Sequence, residues 1–200
     1  MKILLLSPYP EEIIKAFGPK SFVESRVGLD IPYSEDDMRF DWIISYGCRT
    51  IIKKDWIDAY KGRIINIHIG LLPWNRGADP NFWSWFDVTP KGITIHQIDE
   101  GIDTGPIYSK GEIAFNNIEN ATLGTTYDDL KKAAAFTFAA IWPSIRDGYL
   151  EPYKQEGEGS YHRSVDKMEW FDRLPLGYDT PIVDIIELGR ESRWPKQSAS

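Results

Sequence analysis

A single cysteine, Cys48, stands among 200 residues, so no disulfide can form within the chain, and a reducing, cytoplasmic setting is expected. A basic excess is missing. Lys and Arg number 23 against 30 Asp and Glu, a formal net charge of −7, which opposes sequence-independent nucleic-acid binding but leaves room for a local basic pocket. Long apolar runs are missing as well. Met1-Lys2 followed by Ile3 to Leu6 is too short for a secretory signal, and nothing approaches the length that crosses a bilayer. Repeats and low-complexity tracts are absent. What the chain does have is 42% hydrophobic and 14% aromatic residues, the composition of a folded globular protein with a substantial core. Its length suits one domain with a small appendage.

Apolar strands alternate with helical stretches. Lys2 to Leu6 opens the chain as a strand, followed by a helix over Glu11 to Phe17 and a small strand at Phe22-Val23-Glu24. Asp41 to Tyr46 is a second buried strand, and a short helix near Asp55 to Tyr60 leads into the strand at Ile64. Asp79-Pro80 reads as an N-cap and first helical residue, opening a helix with Phe82, Trp83, Trp85 and Phe86. Strands at Ile93 to Ile98 and Ile107 to Phe115 follow. Thr126, with Asp129 three residues on, is read as the cap of a long helix that Pro143 and Gly148 terminate. The expected fold is α/β, a mostly parallel Rossmann-like sheet with helices on both faces. Residues 1–150 form its main domain. Pro152, Gly157 and Gly159 mark a linker into an appendage over 151–200, with helices near Asp166 to Arg173 and Pro181 to Gly189 and a frayed end at 195–200.

Ile64-Ile65-Asn66-Ile67-His68-Ile69-Gly70-Leu71-Leu72-Pro73 is the most informative segment. Side chains alternate along a strand, so Ile65, Ile67 and Ile69 face one way and Asn66 and His68 the other. An amide and an imidazole thus emerge side by side where the chain breaks at Gly70, and ligands of parallel sheets bind beyond the carboxyl ends of the strands. The residues alone leave a hydrogen-bonded structural His and a reaction centre both open. Downstream, Asp99-Glu100-Gly101-Ile102-Asp103-Thr104-Gly105-Pro106 brings a carboxylate toward the same edge. Near His68 that carboxylate would orient the ring and favour its imidazolium form. Taken alone, Asp103 reads more simply as a turn cap. His96 shares a strand face with Thr94 and Ile98 and is read as structural support. His68, His96 and Asp103 include no close-spaced ligand pair, so no metal is expected.

Asn66 to Pro73, Arg76-Gly77, Pro80, Gly92 to His96 and Asp99 to Ile107 together resemble the folate-dependent formyltransferase family, over roughly residues 40–145. Ile69-Gly70 departs from the Pro-Ser of many members. The resemblance implies Asn66, His68 and Asp103 as catalytic residues and 10-formyltetrahydrofolate as formyl donor. Asn66 would donate to the formyl oxygen, His68 would take a proton from the attacking amine, and Asp103 would tune His68. It also implies a pterin slot walled by Tyr46, Gly47, Arg49, Ile51, Ile52, Asp99, Gly101 and Ile102. The short opening implies a sheet trimmed at its N-terminus relative to longer members. Trp74 to Trp83, with the tail from Gly159 to Arg163 and Asp166-Lys167, is similar to the sugar N-formyltransferases of surface-glycan or nonulosonic-acid synthesis. That branch implies a nucleotide-linked amino-deoxy sugar as acceptor, contacted by Trp74, Arg76, Gly77, Tyr161, His162, Arg163 and Lys167. The aromatic tail would suit a homodimer. Glycinamide ribonucleotide formyltransferase, formyltetrahydrofolate hydrolase and a non-catalytic binding module are the competing readings.

Overall fold

A computed structural model describes residues 1–29 and 39–193. The end expected to fray at 195–200 lies outside the described residues, as does the middle of the poorly patterned stretch before Asp41. In chain order the elements are β1 (Lys2–Leu6), α1 (Pro10–Ile13), β2 (Phe22–Arg26), β3 (Trp42–Tyr46), α2 (Lys54–Tyr60), β4 (Ile64–His68), β5 (Arg76–Gly77), α3 (Pro80–Phe86), β6 (Gly92–Gln97), β7 (Ile107–Glu112), α4 (Leu123–Arg146), β8 (Tyr161–His162), α5 (Met168–Phe171) and α6 (Ile182–Arg193).

Among the described residues, the main sheet has the order β2-β1-β3-β4-β6-β7. The first four strands run parallel; β6 and β7 are antiparallel additions. Strand alternation sorts the apolar residues into two cores. Ile3, Leu5, Ile44, Ile65 and Ile67 meet Leu130, Ala134, Phe138 and Trp142 of α4 on one face. Leu4, Leu6, Ile43 and Ile64 meet Trp56 and Tyr60 of α2 on the other. The expected two-faced, mostly parallel α/β sheet is therefore the fold. The helix expected over Glu11 to Phe17 is broken, with α1 followed by a tighter turn at Ile14–Phe17; Ile13 and Phe17 are buried and Ile14 only half so.

One expected helix start keeps its place without its capping bond, and both ends of the long helix differ from expectation. Asp79 occupies the N-cap position of α3 but in a left-handed conformation with no capping bond; its carboxylate instead pairs with Lys167 at 2.5 Å. The long helix starts earlier than Thr126. Thr122 is its cap, in a reciprocal box with Thr125, and Thr126 is buried in the first turn, donating to the Thr122 and Leu123 carbonyls. Pro143 lies inside α4 and does not end it, because Trp142 and Ile145 on either side are both buried; the stop comes at Arg146, before Gly148 with φ +73°. Around α3, Phe82, Trp83, Trp85 and Phe86 form a third core with Leu174, Ile182, Ile185 and Leu188, which seats α6 against α3.

Candidate active site

The β4–β6 pairing decides what stands next to what. Asn66 lies opposite His96 and His68 opposite Thr94, so all four side chains share one face of the sheet. The loop after β6 then turns back over that face. Asp103 adopts φ +52°, and its carboxylate leaves its own loop: Oδ2 accepts the Gly77 N–H at 2.8 Å and Oδ1 accepts Asn66 Nδ2 at 3.1 Å. The turn-capping job falls to Asp99, whose Oδ1 accepts the Gly101 N–H at 3.1 Å and the Thr104 hydroxyl at 2.6 Å. Taken alone, Asp103 reads as the turn cap; the cap is Asp99, and Asp103 is released to the site.

Both imidazoles border that carboxylate. His68 Nδ1 is 3.5 Å from Asp103 Oδ2, and His96 Nε2 is 3.4 Å from Oδ1. The other nitrogens fix the proton positions. His68 Nε2 lies 3.0 Å from the Asn75 carbonyl oxygen, which only accepts, so Nε2 carries a hydrogen and Nδ1 of the neutral ring holds the lone pair. His96 Nδ1 lies 2.7 Å from the Gln97 carbonyl and is a donor for the same reason. Its Nε2 is then free to accept from Asn66 Nδ2 at 3.3 Å. His96, read from sequence as support, is a direct neighbour of the amide and the carboxylate.

The electrostatics correct one expectation. Burial, the largest influence on His68, pushes its pKa below the ordinary value; it outweighs the attraction of Asp103, so the neutral ring is favoured over the imidazolium. For Asp103 burial acts in the opposite sense, yet the cationic forms of His68 and His96 and the Gly77 N–H hold the carboxyl well below the usual carboxylate range. The pair is a neutral base beside a permanent anion. Three polar residues that sequence reasoning missed hold this arrangement. Asn75, fully buried with φ +56°, presents its carbonyl to His68 while its side chain bonds Thr89. Thr94 donates to the Gly70 carbonyl at 2.7 Å and accepts from the Leu72 N–H at 3.0 Å, fixing the turn after His68. Gln155 donates to the carbonyls of Asp103 and Gly105 at 2.9 and 2.8 Å, so the stretch read as a linker is bonded to the Asp103 loop. An asparagine before Arg-Gly was the only visible sequence signal among them, since Asn favours positive φ.

The residues assigned to a pterin wall do not all reach this face. Tyr46 pairs in register with Ile67, pointing away from Asn66; it is fully buried and donates to Glu12 Oε2 at 2.8 Å, which leaves only its backbone near the site. Ile52 belongs to the core beside Trp56, whereas Ile51 is 67% exposed. Gly47, Arg49 and Gly101 are exposed, Ile102 is half-buried, and the Asp99 carboxylate is committed to its loop.

The acceptor residues divide similarly. Gly77 joins the cluster through its N–H, and at φ +89° with the His162 carbonyl pressed against its Cα hydrogens it has no room for a side chain. Arg76 Nη2 bonds Gln155 Oε1 at 2.9 Å. Trp74 is half-buried in the turn and Tyr161 is 53% exposed. The three basic tail residues read as acceptor contacts already have partners within the chain. Arg163 pairs with Asp166 at 2.8 Å and Lys167 with Asp79 at 2.5 Å. His162 stacks on Trp83 at 3.9 Å between ring centres, its Nε2 2.9 Å from Asp87 but off the line of a good hydrogen bond. Of the two ion pairs, Lys167–Asp79 is the more sheltered, whereas Arg163 lies largely in solvent. Among the described residues, no group of three or more His, Cys, Asp or Glu is placed to hold a metal, and no helix is long and apolar enough to cross a membrane.

Known proteins resemble this chain in sequence and fold. The dTDP-4-amino-4,6-dideoxyglucose formyltransferase of Mycobacterium tuberculosis is 31% identical over 138 residues, 69% of this chain and 57% of that protein. The methionyl-tRNA formyltransferase of Clostridium botulinum is 30% identical over 200 residues, 97% of this chain and 62% of that one. The chain thus spans little more than half the length of these curated relatives. A solved structure of the formyltransferase PseJ from Anoxybacillus kamchatkensis, in complex with UDP-4,6-dideoxy-4-formamido-L-AltNAc and tetrahydrofolate, superposes with a TM-score of 0.85 at 40% identity, covering 94% of this chain and 100% of that one. A family model described as formyl transferase matches residues 24–140, more than half of the 200 residues. By that match, and with an amide, an imidazole and a carboxylate drawn together at the end of β4, the chain belongs to the formyl transferase family.

Proposed function

We propose that the protein transfers a formyl group from 10-formyltetrahydrofolate to the amine of a nucleotide-linked amino-deoxy sugar. The observation that carries this is the convergence of Asn66, His68 and Asp103 on one face of the sheet edge, in a chain 40% identical to PseJ along that protein's whole length. PseJ is solved with a UDP-linked 4-formamido sugar, so the acceptor proposed here is the corresponding UDP-linked 4-amino-4,6-dideoxy sugar.

The chemistry asks for what these residues offer. The sugar amine attacks the formyl carbon, a C–N bond forms, the bond from that carbon to N10 of the folate breaks, and the amine's proton ends on N10. Neutral His68 accepts that proton at Nδ1, with the Asp103 carboxylate beside it to stabilise the cation that forms; positioned proton transfer of this kind contributes about 10²–10⁴-fold. Asn66 keeps one N–H on Asp103 and exchanges its contact with His96 for the developing oxyanion, a donor worth roughly 10²–10³-fold. The loop from Asp99 to Asp103, with exposed Gly101 and half-buried Ile102, offers backbone groups and an apolar side chain to a pterin, a fit that needs no charged partner. The setting proposed is cytoplasmic and the assembly a homodimer.

The test is incubation with 10-formyltetrahydrofolate and a panel of UDP- and dTDP-linked amino sugars, with glycinamide ribonucleotide as a further acceptor. Gain of one formyl mass on a nucleotide sugar is expected. Formate release without any acceptor would mark a hydrolase instead, and no turnover with any of them would leave a binding module.

A further inference from the structure

We propose that Gly70 is a positioning residue whose missing side chain is the seat of the His68 imidazole. The proposal rests on the catalytic reading of His68 given above, but its geometry does not. Gly70 lies two residues beyond His68, where the chain turns. Its backbone has no positive φ, so its conformation is open to any residue and the turn itself does not call for glycine. Space does. A Cβ built on Gly70 would stand 2.6 Å from His68 Nε2 and 2.9 Å from its Cδ2, with Pro80 Cβ at 3.0 Å on the other side. Pro80 begins α3, whose side chains fill the third core, so that wall is held by packing. The imidazole, a ring on a rotatable stem, is the part that must give.

The consequence falls on chemistry more than on the fold. The edge of the ring nearest Gly70 is the one whose Nε2 donates to Asn75, and that bond leaves Nδ1 as the lone-pair nitrogen facing Asp103. Swinging the ring away from a new Cβ breaks the Asn75 bond and turns Nδ1 off the carboxylate. A displacement of about 1 Å in a reacting group is enough to lose roughly 10²-fold in rate. In this chain, with Pro80 Cβ closing the other side, Gly70 is no neutral spacer.

The test is Gly70→Ala, with Gly70→Ser beside it. Expected are a kcat lower by about 10²-fold, Michaelis constants for both substrates within about threefold, a melting temperature lower by no more than about 4 °C, and loss of the Nε2–H tautomer of His68 in nitrogen NMR. A double-mutant cycle covers the case of poor folding. In a His68→Ala background the space is vacated, so most of the melting shift caused by Gly70→Ala must disappear. Retention of the wild-type tautomer in Gly70→Ala, or a shift that persists undiminished in the His68→Ala background, would overturn the proposal. Both readouts are independent of turnover, so failure to find an acceptor would sink the functional reading and leave this one standing.

Discussion

Replacing Asp103 with asparagine exchanges one acceptor oxygen for an N–H₂ group at a point already crowded with donors. The carboxylate accepts the Gly77 N–H at 2.8 Å on Oδ2 and Asn66 Nδ2 at 3.1 Å on Oδ1. Whichever way the new amide is turned, its N–H₂ group opposes one of those two, and a donor in a nearly buried place loses its partner at a cost of about 1–3 kcal/mol. Relief from burying a charge offsets part of this, so the variant is expected to fold with a loss near the lower end of that range. Turnover suffers more. The amide cannot stabilise a proton on His68 Nδ1, 3.5 Å away, nor hold one itself, which removes about 10²–10⁴ in rate, or roughly 3–5 kcal/mol of transition-state stabilisation. Steady-state kinetics on the formylated nucleotide sugar, read by mass, should show the fall in kcat with the Michaelis constant for the folate within about threefold. A variant whose kcat stays within about threefold of the parent refutes the role given to Asp103.

The pH profile follows from His68. Burial lowers its pKa and the active form is neutral, so kcat should fall on the acid side through a single proton uptake with a midpoint below about 6.5, the ordinary histidine value; a midpoint above that would contradict a buried base. The stability sign agrees: below about pH 6.5 the unfolded chain binds a proton that folded His68 resists, so stability declines as pH falls through that value, which urea titrations at several pH values will register. Trp142, fully buried against Phe17, Trp42 and Phe138 at 5.4–5.5 Å between ring centres, is expected to cost about 3–5 kcal/mol when replaced by alanine, measured by urea unfolding, with Michaelis constants unchanged; a cost under about 1 kcal/mol would mean that α4 is not bound as described.

Several parts of this protein were legible along the chain because they depend on local periodicity. Ile65, Ile67 and Ile69 against Asn66 and His68 is a two-residue rhythm, and it correctly put the apolar side on a core and the polar side on one common face. The glycine-punctuated loop after β6 likewise announced a turn that returns a carboxylate to the sheet. Helix starts were less legible: Thr126 with Asp129 has the spacing of a capping box, but the cap is Thr122, whose bonds with Thr125 and bridge to Pro181 form only in the fold.

By itself the sequence determined the sheet, the family and the three residue types at the site, because side-chain alternation and a motif of fixed spacing are properties of the backbone and need no distant partner. The tertiary structure alone decided the state of those residues. Which nitrogen of His68 carries the proton depends on the Asn75 carbonyl; whether the ring is neutral depends on burial winning over Asp103; and where the Asp103 loop rests depends on Gln155, 52 residues further on. Along the chain nothing marks Lys167 as the partner of Asp79 or His162 as the neighbour of Asp87, 88 and 75 residues apart, yet folding brings both together. Charge, tautomer and anchoring are set by groups that folding brings within a few ångströms, and no one-dimensional pattern records that distance.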